Sequence, residues 1–94
     1  MRVTVRYFTV LRKITEKREE EIYTKEDSTV GEVLKSLNAK YGKEFERYIL
    51  SGKRRKGLKL IFLINGQNIE KLAGSKTKLQ SGDVLIIMPP VAGG

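Results

Sequence analysis

The 94-residue sequence contains no cysteine and no histidine. Without a thiol or an imidazole, the chain cannot form a disulfide, a zinc finger or a thiolate–histidine catalytic pair. Carboxylates remain as metal ligands, and Glu19-Glu20-Glu21 is their densest run. Successive residues of a strand point to opposite faces, so we do not expect these three side chains to converge. The composition therefore excludes the common nucleophile and base pairs that use cysteine or histidine, and the sequence predicts no metal site.

Long apolar runs are also absent. The runs Leu60–Ile64 and Val84–Met88 are too short to cross a membrane, because a spanning helix needs about 20 apolar residues. Residues 1–6 alternate apolar and polar side chains and lack the apolar core of a secretory signal peptide. The length suits one domain with a modest core. We therefore expect a single cytoplasmic domain without membrane attachment.

Basic residues exceed acidic ones, 19 to 11, which gives a net charge of +8. Such an excess is typical of proteins that bind nucleic acid, an anionic surface or an acidic partner. Here the basic residues are spread along the chain and show no nucleic-acid motif, so a small nucleic-acid-binding domain is only an alternative. The cluster Lys53, Arg54, Arg55 and Lys56 predicts a solvated loop, and electrostatic docking onto an acidic partner is its functional alternative.

The first half of the chain predicts a hairpin and a helix. Apolar and polar residues alternate over residues 3–7, and a charged stretch over residues 20–24 follows a polar connection, which predicts two paired strands. Thr29-Val30-Gly31-Glu32 matches a capping box, apolar residues follow at helical spacing up to Tyr41, and Gly42 is placed to end the helix. Residues 43–50 then predict a short helical turn.

The second half predicts three more strand segments. Leu58–Ile64 is nearly continuous in apolar residues, as expected of a strand covered on both faces. Asn65-Gly66 is a tight-turn signal before a short strand from Gln67. Ser81-Gly82-Asp83 is a turn into the last strand, Val84–Met88.

Between these turns, Leu72 and Leu79 are the expected apolar anchors of an otherwise polar stretch. The whole order is strand, strand, helix, strand, short strand, strand. One helix is long enough to cover one face of the sheet. The sequence therefore predicts an α+β layer architecture.

The last strand runs directly into Pro89-Pro90-Val91-Ala92-Gly93-Gly94. Proline cannot donate to a sheet ladder and holds φ near the extended region, so the strand must end and the tail must leave the body stiffly. Gly93 and Gly94 carry no side chain and can enter a narrow channel in another protein. We predict a domain over residues 1–88 and an extended reactive tail over residues 89–94. The alternative is an ordinary disordered end.

Four stretches are informative together. They are Val5-Arg6-Tyr7-Phe8 with Leu11-Arg12, Thr29–Leu34, Ile64-Asn65-Gly66, and Leu79–Val84 continuing to Pro89–Gly94. Their order and the ending resemble the ubiquitin-like sulfur-carrier family, most of all the small subunit of molybdopterin synthase. The resemblance spans nearly the whole chain and implies a β-grasp fold, in which a mixed sheet of about four to five strands packs on one main helix.

The resemblance also implies a function. A ubiquitin-activating-like enzyme would use ATP and magnesium to adenylate Gly94, and a persulfide donor would convert the adenylate to a thiocarboxylate. The tail would then enter the large subunit of molybdopterin synthase and deliver sulfur to the pterin precursor. The protein would be a non-catalytic subunit without a permanently bound cofactor. Partner contacts are implied for the tail residues Pro89, Pro90, Val91, Ala92 and Gly93. The residues themselves suggest a further partner contact at Phe8, which is either an exposed apolar docking residue beside the tail or a core residue.

Several alternatives stay open at this point. Residues 43–59 are longer and more basic than a minimal family member needs, and Ile87 and Met88 stand where some relatives carry aromatic residues. Relatives that are attached to target proteins share the diglycine, so conjugation to lysines is an alternative function. Sulfur delivery for tRNA thiolation or thiamine is another. Phe8 is out of phase with the buried face of its strand, whereas Leu60 and Ile87 are expected in the core.

Overall fold

The computed structural model of the chain describes residues 1–50 and 60–89. Lys53, Arg54, Arg55 and Lys56 lie outside these ranges. So does most of the tail, residues 90–94. What the sequence predicts for these residues stays a prediction.

Within the described residues, five strands form one mixed sheet in the order β2–β1–β5–β3–β4. β1 is parallel to β5 and antiparallel to β2, and β3 is antiparallel to both β4 and β5. The strands are β1 (Arg2–Tyr7), β2 (Glu19–Tyr23), β3 (Ile61–Ile64), β4 (Gln67–Asn68) and β5 (Val84–Met88). The helices are α1 (Val10–Thr15), α2 (Val30–Tyr41) and α3 (Lys43–Leu50), and two 3-10 turns span Ile69–Lys71 and Gly74–Lys76. This is the β-grasp arrangement expected from the sequence.

One face of the sheet is buried against the helices. On β1 and β5 the buried residues alternate with exposed or half-buried ones, as the period of a half-buried strand requires. α2 contributes an apolar stripe at helical spacing. The core therefore lies between the central strands and α2, and its fully buried members from these elements are Val3, Val5, Tyr7, Val30, Val33, Leu37, Leu85 and Ile87.

α2 begins and ends where the sequence predicted. The Glu32 N–H donates to Thr29 Oγ1 at 3.2 Å, and the Thr29 N–H donates to Glu32 Oε1 at 2.9 Å, so the capping box is complete. The backbone hydrogen bond from Thr29 lowers the pKa of Glu32. Gly42 ends the helix with a φ of 90°, which a residue with a side chain rarely adopts.

Two expectations about local structure were wrong, and one helix was not predicted. Residues 10–15 form a helix that the sequence did not indicate, because only Leu11 and Thr15 are buried along it. β3 begins at Ile61 rather than including Leu60, and the part of the predicted strand at residues 58 and 59 lies outside the described residues. β3 is half-buried rather than covered on both faces, because its odd-numbered residues lie on the open face of the sheet with Ile86 and Met88. Leu72 is 41% exposed and is not among the described core residues, whereas Leu79 is buried as expected.

Candidate functional site: the root of the tail

The tail leaves the body from the middle of the sheet. β5 lies between β1 and β3, with Ile87 opposite Tyr7 and Met88 opposite Ile61. Pro89 follows directly and is half-buried. We call Met88 and Pro89 the tail root. Because β5 is paired on both sides, the tail root is held on the body rather than on a free strand end.

Two of the sequence motifs meet at the opposite end of β5. The Asn65 N–H donates to the Val84 carbonyl and the Val84 N–H donates to Asn65 Oδ1, both at 2.9 Å. Asn65 Nδ2 also donates to Asp83 Oδ1 at 2.9 Å, and Asp83 Oδ2 accepts the Gln80 N–H at 2.8 Å. The turns at residues 64–66 and 81–83 therefore fix where β5 begins and, through its length, where the tail leaves.

Replacement of Asn65 by glycine tests this contact. Asn65 has a φ of 50°, which glycine adopts without strain, so Asn65→Gly removes the side-chain hydrogen bonds and little else. We expect a loss of about 1 kcal/mol in the free energy of unfolding, because these bonds are partly solvent-exposed. Urea denaturation measures it, and Gln67→Ala on exposed β4 is the control. A loss no larger than that of the control would show that the two turns do not stabilise each other.

Phe8 lies next to the tail root. It follows Tyr7, whose partner Ile87 precedes Met88, and it is half-buried. The Arg12 guanidinium lies 5.0 Å from the centre of the Phe8 ring, and Arg12 Nε donates to the Tyr7 carbonyl at 3.0 Å. The structure thus places Phe8 beside the tail root, and its contact with a partner stays a prediction. Leu60 and Ile87 are buried in the core, as expected.

The turn that carries Phe8 is strained. Thr9 has a φ of 45° and a ψ of −113°, an unfavourable conformation for a β-branched residue. The Leu11 N–H closes the turn by donating to the Phe8 carbonyl at 3.1 Å. Val10 is exposed at its tip. Strain of this kind often occurs at sites that bind a partner or ligand, and no sequence signal indicated it.

A buried carboxylate links β1, β2 and α2. The Tyr7 hydroxyl donates to Glu20 Oε2 at 2.6 Å, and the Tyr41 hydroxyl donates to the same oxygen. Lys40 Nζ and Lys17 Nζ donate to Glu20 Oε1 at 2.7 and 3.3 Å. We call these five residues the Glu20 cluster. The Glu20 side chain is only 8% exposed, and the cluster joins the strand edge to the end of α2.

The environment of the Glu20 cluster shifts two pKa values. Burial alone would raise the pKa of Glu20, but hydrogen bonds from Lys40, Tyr41, Tyr7 and Lys17 outweigh burial and lower it to about 2. Burial and the hydrogen bond to Glu20 raise the pKa of Tyr7. The carboxylate is therefore a stable hydrogen-bond acceptor at neutral pH and is not suited to exchange protons with a substrate.

The three consecutive glutamates diverge as the strand period predicts. Glu20 lies opposite Val5 on the helix-covered face, while Glu19 and Glu21 lie opposite Arg6 and Thr4 on the other face. No sequence signal indicated the role of Glu20, because its partners Tyr7 and Tyr41 are distant along the chain.

None of the described helices meets the length and hydropathy that a membrane span requires.

Comparisons with known proteins agree with this geometry. The family model described as ThiS family matches residues 5–94. Small archaeal modifier protein 3 of Haloferax volcanii is 34% identical over 94 residues, which cover 100% of both chains.

Solved structures show the same fold. The small archaeal modifier protein 1 from Methanosarcina acetivorans superposes with a TM-score of 0.78 at 33% identity, over 99% of this chain and 96% of that one. A putative molybdopterin converting factor subunit 1 from Pyrococcus furiosus has a TM-score of 0.74 at 24% identity, over 96% and 98% of the two chains. This last likeness concerns the fold alone. The chain therefore belongs to the ThiS family of ubiquitin-like sulfur carriers and modifiers.

Proposed function

We propose that this protein is a sulfur carrier that delivers sulfur to the pterin precursor of molybdenum cofactor from a thiocarboxylate on Gly94. The observation that carries the proposal is the path of β5. This strand lies in the middle of the sheet and leads into Pro89, after which the sequence continues to Gly93-Gly94. The family match extends through the diglycine to residue 94. The absence of cysteine supports the same conclusion, because the chain has no thiol on which to hold sulfur.

The chemistry needs partners, because a free carboxylate is a poor electrophile. Carriers of this family work with adenylating enzymes and partner subunits. The Gly94 carboxylate would attack the α-phosphate of ATP, which the activating enzyme binds with magnesium, and pyrophosphate would leave. A persulfide sulfur would then displace AMP, and cleavage of the S–S bond by a partner thiol would leave the thiocarboxylate. ATP and magnesium belong to the activating enzyme in this proposal.

The folded body would be a rigid support that positions the tail for its partners. The Glu20 cluster stabilises the packing of β2 on β1 and α2, and the contact between Asn65 and Asp83 stabilises the start of β5. All the residues that make these contacts belong to the body. Phe8 and the strained turn at Thr9 lie beside the tail root. A partner that binds the tail would contact this surface. Binding energy from this surface would position Gly94 in the partner's channel.

A second candidate function is conjugation to proteins. It is favoured by the 34% identical relative, whose name is small archaeal modifier protein 3. In this function the amine of a target lysine, rather than sulfur, would attack the activated carbonyl of Gly94 and form an isopeptide bond. Sulfur delivery for tRNA thiolation or thiamine would use the same thiocarboxylate with a different acceptor.

Reconstitution distinguishes these functions. The thiocarboxylated chain is mixed with the pterin precursor and the large molybdopterin synthase subunit from the same organism. We expect molybdopterin to form in proportion to the thiocarboxylate supplied, and none to form from the plain carboxylate. If the large subunit gives no product while Gly94 is found on lysines of cellular proteins, the molybdopterin proposal is wrong and the modifier function replaces it.

The basic cluster should affect association rather than stability. Replacing Lys53, Arg54, Arg55 and Lys56 by serine removes four of the 19 basic residues. We expect slower association with the activating enzyme at low salt and an unchanged melting temperature, since exposed charges steer encounter and are screened by salt. Stopped-flow association at several ionic strengths measures the effect. The control removes the same charge elsewhere, at Lys13, Lys71, Lys76 and Lys78, and an equal slowing there would rule out a specific role for the cluster.

A further inference from the structure

β2 lies at one edge of the sheet and, in the described part of the chain, pairs only with β1. Just beyond its end, Met1 and Thr24 exchange both backbone hydrogen bonds, at 2.5 and 2.9 Å. Just before its start, the Tyr7 N–H donates to the Arg18 carbonyl at 2.8 Å. Hydrogen-bonded pairs alternate along an antiparallel ladder, so every second residue of β2 bonds β1.

The remaining residues of β2 present their backbone groups to the open edge. By this alternation they are Glu19, Glu21 and Tyr23, which lie opposite β1 in the non-hydrogen-bonded pairs. Among residues 1–50 and 60–89, no hydrogen bond occupies their N–H and C=O groups. An edge of this kind is a template for pairing with another strand.

A groove runs along this edge, between β2 and α2. Its first part has a volume of about 310 Å³, and its lining combines the apolar Ile22 and the almost fully buried Leu37 with polar and charged residues, among them Glu21 and Lys40. The second part, of about 440 Å³, continues past Ser36 toward Lys35. Ser36 lines both parts, so the two are neighbours, and we call them together the edge groove. A strand added beside β2 would point alternate side chains toward this groove.

The opposite side of the same edge is acidic. The side chains of Glu19 and Glu21 are 57% and 52% exposed, and their ion pairs with Arg6 and Arg2 are 3.4 and 3.8 Å long. Exposed pairs of this length hold the carboxylates weakly, so both remain available to a further cation. A strand that binds here would therefore carry basic residues on this side and apolar residues on the side that faces the edge groove.

A second copy of this chain fits the edge poorly. In antiparallel registers centred on Glu20 or Glu21, two copies would place glutamate opposite glutamate. Like charges directly opposite each other destabilise a strand pair. The glutamates therefore disfavour a second copy in these two registers and favour a partner strand that carries basic residues.

We propose that the open edge of β2, with the edge groove, binds an extended segment of a partner protein in which basic and apolar residues alternate. The segment adds to the sheet as a strand beside β2. β1 separates this strand from β5 and hence from the tail root. A partner bound here holds the body of the protein while the tail stays free for its own reactions.

The test uses the blocked peptide Lys-Val-Lys-Val-Lys-Val-Lys and the full-length protein. We expect binding with amide shift changes and slowed hydrogen exchange at Glu19, Glu21 and Tyr23. Two N-methylated versions serve as matched probes, one methylated on the lysine amides and the other on the valine amides. Only one set of amides can face β2, so one version should bind like the parent peptide and the other about tenfold or more weakly, which is the loss of about 1.4 kcal/mol.

Two protein variants locate the binding site. Ser36→Trp fills the edge groove from α2 and should weaken binding at least as much as N-methylation, while Arg47→Trp adds the same ring to an exposed position of α3 and should not. Equal binding of all three peptides would show attraction by charge alone and overturn the proposal. So would an absence of binding up to about 1 mM peptide, or a dimer of the protein that forms through β2.

Discussion

Gly93→Val is expected to leave the fold intact and to slow both adenylation and sulfur transfer by about a hundredfold or more. Residue 93 follows Pro89 and Pro90 in the sequence, beyond the last residue of β5, so we expect a side chain placed there to leave the core unchanged. A β-branched side chain restricts φ and ψ and adds bulk next to the reacting carboxylate. In a channel that fits only glycine, this bulk displaces Gly94 from the attacking groups.

The measurement compares single-turnover adenylate formation with thermal unfolding of the same samples. Gly93→Ala should give an intermediate rate, because it adds one methyl group without branching. Deletion of Gly94 should abolish both reactions with an unchanged melting temperature. Wild-type rates for Gly93→Val in both reactions would refute the narrow-channel mechanism and favour a disordered end.

Glu20→Ala is expected to lower the free energy of unfolding by about 3 kcal/mol. The replacement leaves the Tyr7 hydroxyl buried without its acceptor and removes the partner of Lys40. Urea denaturation at neutral pH measures the change. Glu21→Gln, on the exposed face of the same strand, is the control and should change the free energy of unfolding little. A loss for Glu20→Ala as small as that of the control would show that the cluster does not stabilise the fold.

The same carboxylate predicts a dependence of stability on pH. The pKa of Glu20 is about 2 in the folded protein and 4.5 in its ordinary state, so the unfolded chain binds a proton first as the pH falls. Stability from this group is present above pH 4.5 and is lost as the pH approaches 2, a loss of about 3 kcal/mol. Glu20→Gln should flatten the denaturation profile over this range. An unchanged slope would show that Glu20 is not held by its four donors.

The elements that the sequence predicted well are those with a local signal. β1 alternates, α2 has a complete capping box, and Asn65-Gly66 has the dipeptide of a tight turn. Their structure depends on residues within a few positions of each other, which a sequence displays directly. α1 carries no such signal, since a helix of six residues with one buried pair has too few apolar positions to show a period.

The features that the sequence did not reveal depend on contacts between distant residues. In the sequence, Glu20 is one of three consecutive acidic residues with no sign of a special role. Only the fold brings the Tyr7 and Tyr41 hydroxyls within hydrogen-bond distance of its carboxylate. In the sequence, the motifs around Asn65 and Asp83 only supported a family resemblance. The hydrogen bond between these two residues shows that the motifs form one contact in the fold. The open edge of β2 follows from the strand order, which periodicity does not determine.

The most direct test of sulfur carriage is the intact mass of the protein isolated from its own cells. We predict a fraction whose mass has increased by the exchange of one oxygen for one sulfur, with fragmentation placing the change on Gly94 and mild alkylation blocking it. A protein found only as the plain carboxylate and as isopeptide adducts on lysines, in cells that are actively making molybdenum cofactor, would contradict the account.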